Sequence, residues 1–269
     1  VPADNAVTPQ LLVRARPGDA LDDVLRGDPG TRARQVRASG ESTVTDPAGG
    51  PSAAVDGDRA TSWHAPDGPS PTLDLALPGR HLVGSLRLWA PRSAAPAAPA
   101  VVTIDSGVQR TTVDLTTLEP EEDGSVVVDL PPDYTDEVSL RVDTTRDVRT
   151  PAGAPVPAGL AEVWVQDDTG ARIGALPAAN DEPVTLACSD GPTLHIGDRV
   201  VAFRLTATRR DLLTGATVTA EPCSSGPVAL PSGAQEVSVD PGQAFSVDTV
   251  GLVVVDPASG DGEGNRGVP

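Results

Sequence analysis

Short stretches in which apolar and polar residues alternate, cut apart by Pro, Gly, Asp and Ser, fill most of the 269-residue chain. A period of two is the mark of a strand with one buried face, and it leaves little room for long amphipathic helices. Leu73, Leu75 and Leu77 alternate in this way, as do Leu86 and Leu88, then Val126, Val128 and Leu130, then Val138, Leu140 and Val142. Further strands are expected over 99–105, 109–115, 160–167 and 35–39, eight in all. Strands of this kind pack one face on a partner sheet and wet the other, so the expected class is all-β with an antiparallel β-sandwich. Only 20–26 and 209–215 read as helical, about two turns each, with Gly27 and Gly215 as C-terminal stops.

The length suits two compact domains. Residues 144–159 form a Pro-rich crossing loop, and a second set of β-like runs follows over 184–188, 199–208, 216–221, 235–239 and 244–255. The expected division is an N-terminal segment or linker over 1–34, the sandwich over 35–170, a linker over 171–183, a small disulfide-linked β domain over 184–256 and a flexible tail over 257–269. Cys188 and Cys223, the only cysteines, open nearly the same pentapeptide, CSDGP and CSSGP. A disulfide is the natural reading of that even pair; the alternative is two buried thiols in a reducing compartment.

Charge excludes whole classes of partner. All 20 basic residues are Arg, and 38 Asp and Glu leave a net charge of -18, which phosphate backbones and anionic lipid heads repel. No nucleic acid is expected. Two cysteines and three scattered histidines, His64, His81 and His195, do not make a structural zinc site. No apolar run approaches the roughly 20 residues of a membrane span, and the opening VPADNAVTPQ lacks a signal-peptide layout. The closing DPASGDGEGNRGVP reads as a linker, so the chain is expected to be a piece of a longer secreted or membrane-tethered protein. There is no nucleophile elbow, no HExxH and no phosphate-cradling loop. With 38 acids present, a neighbouring pair such as Glu121 and Glu122 carries no meaning for glycoside hydrolysis, and this chain is not expected to be catalytic itself.

The most specific stretch is AAVDGDRATSWHA over 53–65, where Asp56 and Asp58 bracket Gly57 and Thr61 follows before Trp63. Calcium needs six to eight oxygens at short range, and a Gly-containing turn lets side-chain and backbone oxygens converge. Taken alone, the same residues also fit an Asp-Gly turn closed by hydrogen bonds. Together with TLDLAL, GSLRLWAPR, VTIDSG and LAEVWV, however, the stretch resembles the discoidin, or coagulation factor 5/8 type C, superfamily over about residues 36–168. That resemblance implies a jelly-roll sandwich and a structural calcium loop completed by an Ala-Glu pair on the last strand. The implied ligands are the carboxylates of Asp56 and Glu162, oxygens of Asp58 and Thr61, and carbonyls near Val55 and Ala161, with Trp63 in the core. It also implies a sugar site on loops at one end. His64, Arg92 and the nearby Trp89 are its candidates here, although Trp89 is equally a core residue and no Asn stands nearby as a third polar partner.

The remaining sequence, PVTLACSDGP through DLLTG and a second Cys to AFSVDTVGL, resembles the C-terminal periplasmic part of actinobacterial membrane arabinofuranosyltransferases. The resemblance implies an extracytoplasmic, non-catalytic carbohydrate-binding module that holds or positions arabinan, arabinogalactan or lipoarabinomannan for a membrane domain of the parent protein. The alternative is a structural scaffold of the same transferase that binds no glycan.

Overall fold

The structure, a computed structural model, describes residues 5–27, 29–44, 46–93, 95–177, 179–230 and 233–255. Along the chain its elements are β1 (Asn5–Ala15), α1 (Asp19–Leu25), α2 (Pro29–Arg32), β2 (Arg37–Ser39), β3 (Trp63–His64), β4 (Thr72–Trp89), β5 (Pro99–Ser106), β6 (Gln109–Asp114), β7 (Ser125–Thr145), β8 (Gly159–Leu160) and β9 (Glu162–Asp167). They continue with β10 (Pro183–Leu186), β11 (Thr193–Ile196), β12 (Arg199–Thr208), α3 (Arg209–Leu213), β13 (Thr217–Pro222), β14 (Val228–Leu230), β15 (Val237–Asp240) and β16 (Phe245–Val255). They fall into two compact units. The larger holds residues 16–182 and 208–215; the smaller holds 5–15, 183–207 and 216–255.

The larger unit is the expected antiparallel β-sandwich. Its strands run in the order β2-β4-β7-β5-β6, with β9 also on β4. The first part of β4 pairs with β2 and with the end of β7, and its second part pairs with β9 and with the beginning of β7. Pro78-Gly79 and Pro131-Pro132 read as breaks, so alternation suggests four strands where the structure has two long ones. Proline cannot donate to a ladder, yet these prolines sit where the β4–β7 register shifts, between Ala76 and His81 and between Val83 and Ser85, and no ladder bond is required of them there. The two strands bend at that place. Leu73 and Leu75 before the bend and Leu86 and Leu88 after it then bury themselves in one core with Ile104, Leu140 and Val163. Trp63 is fully buried among them, its Nε1 donating to the Glu41 carbonyl at 2.9 Å.

Backbone bonds tie several loops together beside the ends of β4. Ala161 N donates to the Trp89 carbonyl, Ala65 N to the Ala158 carbonyl and Val142 N to the Pro71 carbonyl, so the loops over 41–62, 65–71, 90–98 and 145–158 gather at one end. Gly159 is what lets them close. A Cβ there would lie 2.2 Å from Pro96 Cγ and 2.3 Å from the Trp63 carbonyl oxygen.

The smaller unit is one sheet in the order β14-β1-β13-β12-β11-β15, with β16 on β1 and β10 on β12. Its core centres on Leu11, Leu194, Phe203, Leu205 and Phe245. The expected segment over 1–34 is corrected here: 5–15 is a strand of this sheet, paired with β16 from Ala6↔Val255 to Ala15↔Phe245, and 16–34 belongs to the sandwich unit. The cause is long-range pairing across the whole chain, which no local pattern in TPQLLVRA announces. The helix expected at 209–215 is present as α3, started by a capping box between Thr208 and Asp211, but it belongs to the sandwich unit. The helix expected at 20–26 is α1. Cys188 and Cys223 are joined, with Cα atoms 6.0 Å apart.

That bond closes a loop of sequence separation 35, worth roughly 3–4 kcal/mol in the chain-entropy model. Reduction is therefore expected to lower amide-exchange protection in β11, β12 and β13 while leaving β4 and β7 unchanged. Equal protection before and after reduction would show that the disulfide is not a support of the smaller unit.

Candidate functional site

The loop after the short 3-10 turn at Pro51–Ala54 carries the chain's most unusual electrostatics. Gly57 adopts φ 81, the left-handed region that glycine enters without penalty, and this reverses the chain between the two aspartates. Asp56 Oδ1 then accepts from Asp58 N at 2.8 Å, and Asp58 Oδ1 accepts from Ala60 N at 2.8 Å. The Thr61 hydroxyl lies 2.9 Å from Asp56 Oδ2 and 2.7 Å from the Asp58 carbonyl, with one proton to give to either. From β9, at a sequence distance of 105, Glu162 Oε2 accepts from Gly57 N at 3.0 Å and Oε1 accepts from Trp164 Nε1 at 2.9 Å.

Asp56 and Glu162 are only 4% and 1% exposed. Burial pushes Asp56 up to about 7 and Glu162 up to about 8, the second helped by the charge of Asp56, against the hydrogen bonds that pull both down. Two acidic groups are thus brought together out of water, where burial works against their both being ionised at neutral pH. Of the residues expected around a cation, Asp56, Asp58, Thr61 and Glu162 meet in this one hydrogen-bonded cluster. Val55 and Ala161 are buried beside it in sequence, with Ala161 held by its bond to the Trp89 carbonyl.

A residue that sequence reasoning missed supplies positive charge. Arg209, at the first turn of α3 and 3% exposed, donates from Nε to Asn180 Oδ1 at 3.1 Å and from Nη1 to the Leu25 carbonyl at 2.8 Å. Asn180 in turn donates from Nδ2 to Asp58 Oδ2. Burial pulls the guanidinium below its ordinary value, and the charges of Asp56, Asp22, Asp58 and Glu162, in that order, act against the fall. The Thr208-x-x-Asp211 box marks the helix start in sequence, but nothing local says that its first arginine faces a loop some 150 residues earlier.

The donor set suits a hard cation, since every candidate ligand is oxygen and both carboxylates are buried with their charge only partly offset. Among the described residues no three His, Cys, Asp or Glu side chains converge on one point. A calcium ion here would therefore take two carboxylates and complete its shell with the Asp58, Thr61 and carbonyl oxygens of the same loop.

The sugar candidates separate. Trp89 is corrected to a packing residue: it is 3% exposed, meets Trp164 edge-on at 4.8 Å, and has the Arg59 guanidinium over its ring at 4.7 Å, so no face is left to stack on a sugar. The cause is its register opposite Glu162 in β4–β9, which places it under the carboxylate loop. Arg59 also forms an ion pair with Asp123 at 3.5 Å. His64 is half-buried in β3 opposite Gly159, its Nε2 3.4 Å from Ser62 Oγ, and burial lowers its pKa so that the ring is neutral at neutral pH. Arg92 is exposed in the loop after β4, with no hydrogen bond or ion pair to a described residue. Because Pro96 of that loop presses on Gly159, the Arg92 loop and the His64 strand flank the same backbone position.

Comparison with known proteins bears on these loops. Residues 33–177 match the family described as the third carbohydrate binding module of arabinofuranosyltransferase D. The chain is 40% identical over 264 residues to an alpha-(1->3)-arabinofuranosyltransferase of Mycobacterium tuberculosis, and 37% identical over 263 residues to one of Mycolicibacterium smegmatis. These alignments take in 92% and 94% of this chain but 18% of each relative. Among solved structures, the cryo-EM structure of arabinofuranosyltransferase AftD from Mycobacteria superposes with a TM-score of 0.77 at 35% identity, covering 96% of this chain and 20% of that one.

Arg209→Gln is expected to destabilise the sandwich by about 2–3 kcal/mol, less than the roughly 3–5 of a directly broken buried pair because Asn180 stands between the charges. Asp56→Asn in the same chain should restore about 1 kcal/mol or more of that loss. All three tryptophans lie in the sandwich unit, so tryptophan-monitored urea unfolding reads this cycle directly. Strict additivity of the two substitutions would show that Arg209 does not compensate Asp56.

Proposed function

Since the chain belongs to the family of the third carbohydrate binding module of arabinofuranosyltransferase D, we propose that it grips an arabinan or arabinogalactan chain for a parent arabinofuranosyltransferase. The observation that carries this reading is that the strand of a neutral His64 and the loop that carries the exposed Arg92 both flank Gly159, at the end of the sandwich where the loops converge. A neutral imidazole both donates and accepts, and a guanidinium offers a fork of donors, which together suit the hydroxyls and ring oxygens of a neutral sugar. The parent's membrane domain carries the glycosyl transfer; this chain presents the acceptor. A place on the extracytoplasmic side agrees with the disulfide. No helix among the described residues is long and apolar enough to cross a membrane.

In this reading calcium is a structural partner. Asp56 and Glu162 hold it with oxygens of Asp58 and Thr61 and the carbonyls of Val55 and Ala161, and it ties the loop to the last strand of the sandwich. Binding to the folded state alone stabilises it by mass action, about 2.7 kcal/mol at a hundred times the dissociation constant.

Two measurements test the reading. In titrations with arabinan and galactan fragments, His64→Ala combined with Arg92→Ala is expected to weaken binding by roughly 10- to 100-fold, the worth of two lost hydrogen bonds, one of them to a charged group. An intact chain that binds none of these glycans is a scaffold, a reading that the burial of Trp89 favours. Separately, the melting temperature should rise with calcium and fall with chelator, and Asp56→Asn should abolish the difference. An unchanged melting temperature would leave the loop as a hydrogen-bonded turn without an ion.

A further inference from the structure

We propose that the cleft between residues 66–71, 142–145 and 155–158 is a second sugar subsite, which takes one ring of a neutral glycan whose adjoining residue sits at His64 and Arg92. The proposal rests on the glycan-binding reading above and adds where the next ring goes. The cleft has a volume of about 220 Å³. That is below the roughly 300–1,000 Å³ of pockets for drug-sized ligands, and it is scaled to a single ring.

Its walls are unusually rigid for loops. Pro66, Pro69, Pro71, Pro155 and Pro157 line it, each with φ locked and no N–H to satisfy, so ordering on binding costs little and the rings present C–H faces to a sugar. Between two of them stands Ser70 at φ 57, the one non-glycine residue with a left-handed backbone among the described residues. Such a conformation costs on the order of 1 kcal/mol or more and persists where the surroundings impose it, as they do at ligand clamps. Ser70 stands between Pro69 and Pro71, and the Pro71 carbonyl accepts from Val142 N at 2.9 Å.

The polar groups choose the ligand class. Asp143 Oδ2 accepts from Thr103 Oγ1 at 2.6 Å and Oδ1 accepts from Arg141 Nε at 2.8 Å, which fixes the carboxylate in place. The Thr103 hydroxyl first and the Arg141 guanidinium next hold that carboxyl below its ordinary range, so it stays an ionised acceptor. Asp67 adds a second carboxylate, exposed, and Thr144 and Thr145 add hydroxyls. No basic side chain lines the cleft. With Arg141 already engaged by Asp143, acceptors dominate the cleft; they favour the hydroxyls of a neutral sugar and repel phosphates, sulfates and uronates, the more so on a chain of net charge -18.

Position supplies the link to the first subsite. Pro66 follows His64 by two residues, and the intervening Ala65 is bonded through its N to the carbonyl of Ala158, itself a wall of the cleft. A chain laid along His64 continues into the cleft.

The test is calorimetric titration of the full chain with a linear α-linked arabinofuranose tetrasaccharide and a galactan tetrasaccharide. Asp67→Ala combined with Thr144→Ala, both surface truncations, should keep the melting temperature and weaken tetrasaccharide binding at least five-fold. Ser70→Gly, which relieves the backbone, should melt no lower than the parent and still bind more weakly. If both variants bind like the parent while His64→Ala with Arg92→Ala loses binding, the second subsite is wrong and the glycan-binding reading stands. If the parent chain binds neither tetrasaccharide, both are wrong. Loss in the cleft variants with no change in the His64 and Arg92 variant would keep the cleft as a sugar site and remove the first subsite.

Discussion

Two buried carboxylates hold the sandwich closed, and by themselves they would push it open. Glu162 on β9 and Asp56 in the loop before β3 are kept together by donors from Gly57, Asp58, Thr61 and Trp164. Hydrogen bonds to carboxylates are worth about 1.5–3 kcal/mol each, but moving an ionised carboxylate out of water costs several, so the cluster needs positive charge nearby. The chain provides it itself, from Arg209 toward Asp56 and from Arg172 toward Glu162. From the same loop Arg59 reaches over Trp89 and on to Asp123, and Arg172 lies over Trp164 at 4.8 Å. The order of the carboxylate loop is thereby passed to the β4–β9 pair.

The source of Arg209 matters for how this module is delimited. The residues that match the carbohydrate-binding family end at 177, whereas Arg209 and the helix that carries it come later, from a segment that leaves the smaller sheet and returns to it. A piece that ends at 177 would keep Asp56, Glu162 and Arg172 and lose the arginine that offsets Asp56.

Most of the sheet architecture was legible because burial of one face imposes a period of two wherever it occurs. Leu73 to Leu77, Leu86 to Leu88 and Val138 to Val142 all face the core that their alternation implies. Two kinds of error remain, and each has a physical origin. Proline and glycine at 78–79 and 131–132 were legible as interruptions of hydrogen bonding but not as bends within continuous strands, because a register shift is a property of two strands at once. The strand over Asn5–Ala15 and the arginine at 209 depend on partners more than two hundred and about one hundred and fifty residues away, respectively. In the site, Asp56, Asp58, Thr61 and Glu162 were legible because a resemblance ties a local motif to a distant Ala-Glu. Trp89 was not, since an aromatic residue at the end of a strand reads alike whether it is bare or lies beneath an arginine.

The placement of the aromatic residues sets what kind of binder this chain can be. There are six: Trp63 is core, Trp89 and Trp164 pack on each other beneath arginines, and Phe203 and Phe245 fill the smaller unit. Tyr134 is 58% exposed but belongs to the bend, where its carbonyl accepts from Arg80, at the opposite end from the loops. No aromatic platform is left for a sugar face, so a glycan has to be held without ring stacking, by contacts that water contests. Such contacts give weak binding one ring at a time. A weak grip suits a module joined to a longer chain, because attachment turns the second encounter with the same glycan into an intramolecular one at an effective concentration in the millimolar range.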